Sequence, residues 1–156
     1  MAFDQVIQAV QSLNAEDSFR PRLDARQWQL LGDYFNEVSL RSGEVLVKYR
    51  DTERTLYLLE QGTLQLYVPA PPQSGRRPVA ILRPGSIVGE SAMFGDAPRM
   101  AQVEAMSPCT VWALPRHRLD EMALRQTAMA LEVLRSLGAV MVARMQASLE
   151  RGLPMA

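Results

Sequence analysis

The stretch Gly89-Glu-Ser-Ala-Met-Phe-Gly-Asp-Ala-Pro-Arg-Met-Ala-Gln-Val-Glu-Ala105 sets a carboxylate directly after a glycine and an arginine nine residues beyond it. The glycine lets a ligand approach the backbone with no side chain in the way. Glu90-Ser-Ala-Met93 reads as one helical turn, whose free amides at Ser91 and Ala92 would point at an anion. Glu90 can accept a hydrogen bond from a sugar hydroxyl, and the planar fork of Arg99 can hold two phosphate oxygens. The same two residues can equally form a structural ion pair. Spacing alone leaves both readings open.

Working outward, the flanking sequence alternates with a period of two. Ala101, Val103 and Ala105 follow the arginine, and Ser107-Pro108 then turns the chain into Cys109–Leu114. Upstream lie Val38 and Leu40, the turn Ser42-Gly43 with Glu44–Val47, Leu56–Leu59, and, after Gln61-Gly62, Leu64, Leu66 and Val68. A proline-rich loop over 69–78 precedes Val79–Leu82, and Pro84-Gly85 turns into Ile87-Val88. Short strands between regular turns predict a β-sandwich or barrel.

Both ends are helical in pattern. Phe3, Val6, Ile7, Val10 and Leu13 make one apolar stripe. A second helix opens at Asp24, where Gln27 completes a capping box, Leu23 can staple onto Trp28, and Trp28, Leu31, Tyr34 and Phe35 form the buried face. After Pro115 a short helix is followed by a long one over 127–150. Leu131, Leu134, Gly138, Met141, Met145 and Leu149 form a seam along it, and Val133, Leu137 and Val140 a second stripe. Two apolar stripes need two covers, so the barrel is expected on one side and a second copy of the helix on the other. Mid-helix Gly138 predicts a close helix approach. Gly152–Ala156 reads as a frayed tail.

Composition narrows the function. The 156 residues suit one domain, and the 17 basic and 17 acidic residues cancel, so no net field draws the chain to nucleic acid or an anionic membrane. One cysteine, Cys109, rules out an internal disulfide and fits the cytoplasm. One histidine, His117, leaves too few ligands for zinc or a metal-dependent cupin, and it reads as a solvated residue opening a helix. Gly89–Met93 lacks the second glycine of a nucleophile elbow, so no enzyme is expected. The N-terminus has no signal-peptide pattern, and no apolar run reaches the ~20 residues of a membrane span.

The order helix, eight short strands and two closing helices, with Gly-Glu-x-Ala at 89–92 and Pro-Arg-x-Ala at 98–101, resembles the cyclic nucleotide-binding domain family. This is the sensor module of bacterial catabolite activators and of cyclic-nucleotide-gated channels and kinases. Ser42–Leu46, Leu56–Val68 and Arg83–Glu90 agree with it. The resemblance implies a mainly β fold with flanking helices, a double-stranded β-helix or jelly-roll barrel of about eight strands. It makes 1–156 a single domain: N-terminal helices over 1–37, a barrel over 38–114 with a phosphate cassette at 89–101, and closing helices over 116–150. It implies that Glu90 binds the ribose 2′-hydroxyl and Arg99 the cyclic phosphate. Gly89, Ser91 and Ala92 would add backbone contacts, with Ala101 packed beneath. Leu66, Val79 and Ala80 would line the base pocket, with Arg144 or Met145 of the long helix near the base. Met100 stands where the family often has Ser, Thr or Ala, so a hydroxyl contact worth about 0.5–1.5 kcal/mol is absent.

Two functions are therefore expected from the sequence. The first is a stand-alone sensor of cAMP, with cGMP or another cyclic nucleotide as the alternatives, needing no cofactor or metal. It would signal to a separate protein through its C-terminal helices. The second is a degenerate, non-binding fold used for interaction or dimerisation, with Glu90 and Arg99 paired to each other. Either would be a homodimer through 127–150. No recognition helix follows the long helix, and Arg76-Arg77 reads as a small solvated patch, so direct DNA binding is not expected.

Overall fold

The computed structural model of the protein describes residues 2–70 and 75–152. The eight expected strands are present: β1 (Asn36–Leu40), β2 (Val45–Val47), β3 (Thr55–Gln61), β4 (Leu64–Pro69), β5 (Arg76–Leu82), β6 (Ile87–Val88), β7 (Gln102–Ala105) and β8 (Cys109–Pro115). They form two antiparallel four-stranded sheets in the orders β1-β8-β3-β6 and β2-β7-β4-β5. Helices α1 (Phe3–Ser12) and α2 (Ala25–Gly32) precede the strands, and α3 (Arg116–Arg125) and α4 (Thr127–Glu150) follow them. The barrel with flanking helices is the architecture that the alternation and turns predict.

The boundaries differ in two places. β1 begins at Asn36, inside the segment expected to be helical, and β4 and β5 run to Pro69 and from Arg76 into the expected proline-rich loop. Ladder pairing decides the second case, because Val68 and Pro69 find partners in Arg77 and Arg76 across the sheet. The centre of that loop, 71–74, and the tail beyond 152 lie outside the described residues.

The central strands of the first sheet, β3 and β8, are buried on both faces. Leu56 and Leu58 of β3 and Trp112 and Leu114 of β8 turn toward the helices, where they meet Phe3, Val6 and Val10 of α1 and Trp28 and Leu31 of α2. Leu119, Met122, Val133, Leu137 and Val140 of α3 and α4 close the same cluster. The opposite faces contribute Leu59, Val111 and Cys109 to a second cluster between the sheets, with Leu64, Leu82 and Val103. Two-sided burial explains why β8 reads as almost continuous apolar sequence rather than clean alternation. The capping box on α2 is present, with Asp24 Oδ1 accepting from the Gln27 amide (2.8 Å) and Gln27 Oε1 from the Asp24 amide (3.0 Å). Such a cap contributes about 1 kcal/mol.

Candidate functional site

A cavity of about 710 Å3 opens between the inner face of the second sheet, the cassette and α4. That lies within the range of roughly 300–1,000 Å3 typical of small-molecule sites. Its apolar wall includes Leu66, Val79 and Ala80 from β4 and β5 and Met141 and Met145 from α4. Its polar end holds Gly89, Glu90, Ser91 and Arg99, with Met100 and Ala101 beside them. One cavity thus gathers every residue singled out for binding except Ala92.

Ala92 faces elsewhere. Its side chain is buried in the helix-side cluster, and its amide donates to the Gly89 carbonyl at 3.1 Å. The turn at Glu90–Met93 is a 3-10 helix, and its tight hydrogen bonding spends the amide that was expected to face an anion.

Arg99 is only 4% exposed and is held firmly. Its Nε donates to Glu53 Oε1 (2.9 Å), its Nη2 to Glu53 Oε1 and to the Thr55 carbonyl, and its Nη1 to the Gly89 carbonyl (3.1 Å). A single Nη1–H is left, so the two-pronged phosphate grip expected from the fork is not presented in this arrangement. The same guanidinium explains Gly89. Its φ is +77°, and a Cβ there would lie 2.8 Å from Arg99 Nη1, so a side chain would meet both backbone strain and the arginine.

Glu90 is not paired with Arg99, which corrects the pairing expected for a degenerate fold. Its Oε2 accepts from Arg144 Nη1 at 2.8 Å, and its Oε1 has no partner among the described residues. Arg144 also donates from Nε to Asp17 Oδ2 (2.9 Å) and from Nη2 to the Ile87 carbonyl (2.8 Å). Burial disfavours its charge, but Glu90 and Asp17 outweigh that and raise its pKa above the ordinary arginine value. Arg144 was expected near a base. The structure puts it on the ribose-binding candidate instead, tying α4 to the cassette and to the α1–α2 loop.

The seam on α4 is divided. Val133, Leu137 and Val140 are buried against the domain as expected. Gly138, Met141 and Met145 line the cavity, and a Cβ at Gly138 would meet nothing within 4 Å. No close helix approach within the chain accounts for that glycine. Leu131, Val142 and Leu149 are exposed. Arg76, read as freely solvated, stacks 3.8 Å over the Tyr67 ring and pairs with Glu104.

The reading of the sequence missed Glu53 and Asp17, the acids that hold the two site arginines. Both lie in irregular segments without periodic signal. Among the described residues no group of three or more His, Cys, Asp and Glu side chains could hold a metal ion, and no helix is long and apolar enough to cross a membrane.

Residues 37–126 match the model of the cyclic nucleotide-binding domain. The chain is 37% identical over 78 residues to the acetyltransferase Pat of Mycolicibacterium smegmatis, covering 50% of this chain and 23% of that protein. It is 28% identical over 115 residues to the cAMP-dependent protein kinase regulatory subunit of Colletotrichum trifolii, covering 69% and 28%. These matches span about a quarter of the relatives' length, so the relatives' whole-protein activities do not transfer with them. The crystal structure of a cyclic nucleotide-binding domain from Methylobacillus flagellatus superposes with a TM-score of 0.83 at 21% identity, covering 96% of this chain and 82% of that one, which shows a common fold. The chain belongs to the cyclic nucleotide-binding domain family, a family of regulatory domains.

Proposed function

We propose that this member of the cyclic nucleotide-binding domain family binds cAMP in the cavity and signals through α4 to a separate protein. The observation that carries the reading is the convergence of Glu90, Arg99 and an apolar wall on one cavity of suitable size. In the proposed complex the free Glu90 Oε1 accepts the ribose hydroxyl, and Arg99 meets the phosphate with its remaining Nη1–H. A further grip requires a bond now held by Glu53. Leu66, Val79, Ala80 and Met145 pack on the base. That wall hydrogen-bonds little, so it favours the less polar adenine over guanine, whose buried donors would go unpaired. The name of the regulatory-subunit relative supports the same choice. We place the protein in the cytoplasm, in keeping with its single, buried, unpaired cysteine.

Thermal melts with cAMP, cGMP and a cyclic dinucleotide test the reading. Ligand at a hundred times its dissociation constant adds about 2.7 kcal/mol of apparent stability. No shift with any of the three would sink it. A second reading, a non-binding interaction module, is favoured by one observation: four hydrogen bonds within the chain already occupy the Arg99 guanidinium.

Under either reading we propose a homodimer through α4, because Leu131, Val142 and Leu149 otherwise expose an apolar stripe. Sedimentation of a Leu131→Glu, Leu149→Glu variant should show a monomer where the parent is a dimer. A monomeric parent would refute the proposal.

A further inference from the structure

We infer that Arg54 and Arg116 are positioning residues for the nucleotide site, holding the loop that joins Glu90 to Arg99. This rests on the binding reading above. Residues 94–98 join the Glu90 turn to Arg99, are exposed, and have no regular secondary structure. The Arg99 bond to the Gly89 carbonyl and the backbone pairing of Arg99 with Arg50 and Asp51 tie its ends, but the segment between them needs braces of its own.

Two guanidiniums converge on it. Arg54 donates from Nη1 to the Gly95 carbonyl (2.8 Å), from Nη2 to the Ala97 carbonyl (2.8 Å), and from Nε back to the Thr52 carbonyl (2.9 Å). Arg116 donates from Nη1 to the same Gly95 carbonyl (3.0 Å) and to that of Ala92 (3.4 Å), and from Nη2 to Asp96 (2.8 Å). The Arg116 amide donates to the Arg54 carbonyl at 2.8 Å, so the two arginines are fixed to each other as well.

Five of these six side-chain bonds end on backbone carbonyls, so they fix the path of the chain and not only a pair of surface charges. The placement of Arg54 adds a second link. Glu53 and Thr55, its immediate neighbours, take three of the four hydrogen bonds of the Arg99 guanidinium. One three-residue stretch therefore grips the arginine with its outer members and the loop with its middle one. Arg116 opens α3, so the brace also joins the cassette to the closing helices. Pre-organisation of this kind raises affinity by removing the cost of ordering the loop on binding.

The test uses the full chain and the variants Arg54→Ala, Arg116→Ala and Arg116→Lys. Amide exchange of the free proteins and calorimetric titration with cAMP and 2′-deoxy-cAMP are the readouts. In both alanine variants, amides over 90–99 should exchange about tenfold faster while β8 and α4 keep their rates, and cAMP affinity should fall on the order of tenfold. The preference for cAMP over 2′-deoxy-cAMP, which reports how well Glu90 is seated, should shrink. General destabilisation would weaken both nucleotides alike and leave that preference intact. Lysine keeps the charge but not the fork, so Arg116→Lys should resemble alanine. If one alanine variant does not fold, the other decides. Unchanged exchange and unchanged preference in a protein that binds cAMP would overturn the brace alone. A wild type that binds neither nucleotide would overturn the binding reading, and the brace with it.

Discussion

The two sheets differ in what covers them. The sheet β1-β8-β3-β6 lies between the helices and the barrel interior, and Leu56, Leu58 and Leu114 are completely buried. The sheet β2-β7-β4-β5 meets the barrel interior on one face and leaves Val45 and Ile81 exposed, Ile81 by 64%. Its inner face also supplies the cavity wall. The first sheet has its central strands covered on both faces, whereas the second leaves apolar surface to solvent on its outer face and to the cavity on its inner one.

Core truncation should break the symmetry between the sheets most clearly. Leu114→Ala removes a fully buried side chain from the helix-side cluster and should cost about 2–5 kcal/mol. Ile81→Ala, on the open face of the other sheet, should stay within about 0.5 kcal/mol. Urea denaturation of the two variants measures the contrast. Comparable losses would mean that the outer face of the second sheet is covered as closely as the helix-side face of the first.

A smaller effect sharpens the comparison on the second sheet. Arg76 of β5 reaches across β4, over Tyr67, to Glu104 of β7, which substitutes for the missing cover on that side. The hydrogen bond from Arg76 depresses the Glu104 carboxyl below its ordinary 4.5. A depressed folded-state pKa means stability that is present above 4.5 and lost as the pH falls through the folded value. Glu104→Gln should therefore cost about 0.2–1 kcal/mol near neutral pH, and the difference should vanish in acid. Melting both proteins from pH 7 down to pH 3 checks this. A gap that does not narrow between pH 7 and pH 3 would place the loss in packing rather than charge.

Much of this division was legible in the sequence. Alternation at Leu64, Leu66 and Val68 and the turns around them announced the barrel, and the capping box announced α2. Gly89, Glu90 and Arg99 stood out because close approach, carboxylate and guanidinium fall within one short segment. Their partners did not stand out. Glu53 is 46 residues from Arg99, and Asp17 is 127 from Arg144. Contacts between irregular loops leave no periodic trace. Gly138 lines the cavity within one chain, and a glycine on a helix marks either close approach or open space. The sequence pattern cannot distinguish a cavity wall from a helix partner.

Calorimetric titration with cAMP of the wild type beside Arg99→Ala tests the central claim most directly. Arg99 is buried and bonded to Glu53 and to the Thr55 and Gly89 carbonyls, so the variant's own melt is needed to verify that it is folded at the titration temperature. The account predicts binding by the wild type and a loss of about 10- to 150-fold in the variant, the equivalent of about 1.5–3 kcal/mol for a charge-assisted contact. Equal affinity in the two proteins, or no heat of binding in the wild type, would contradict it.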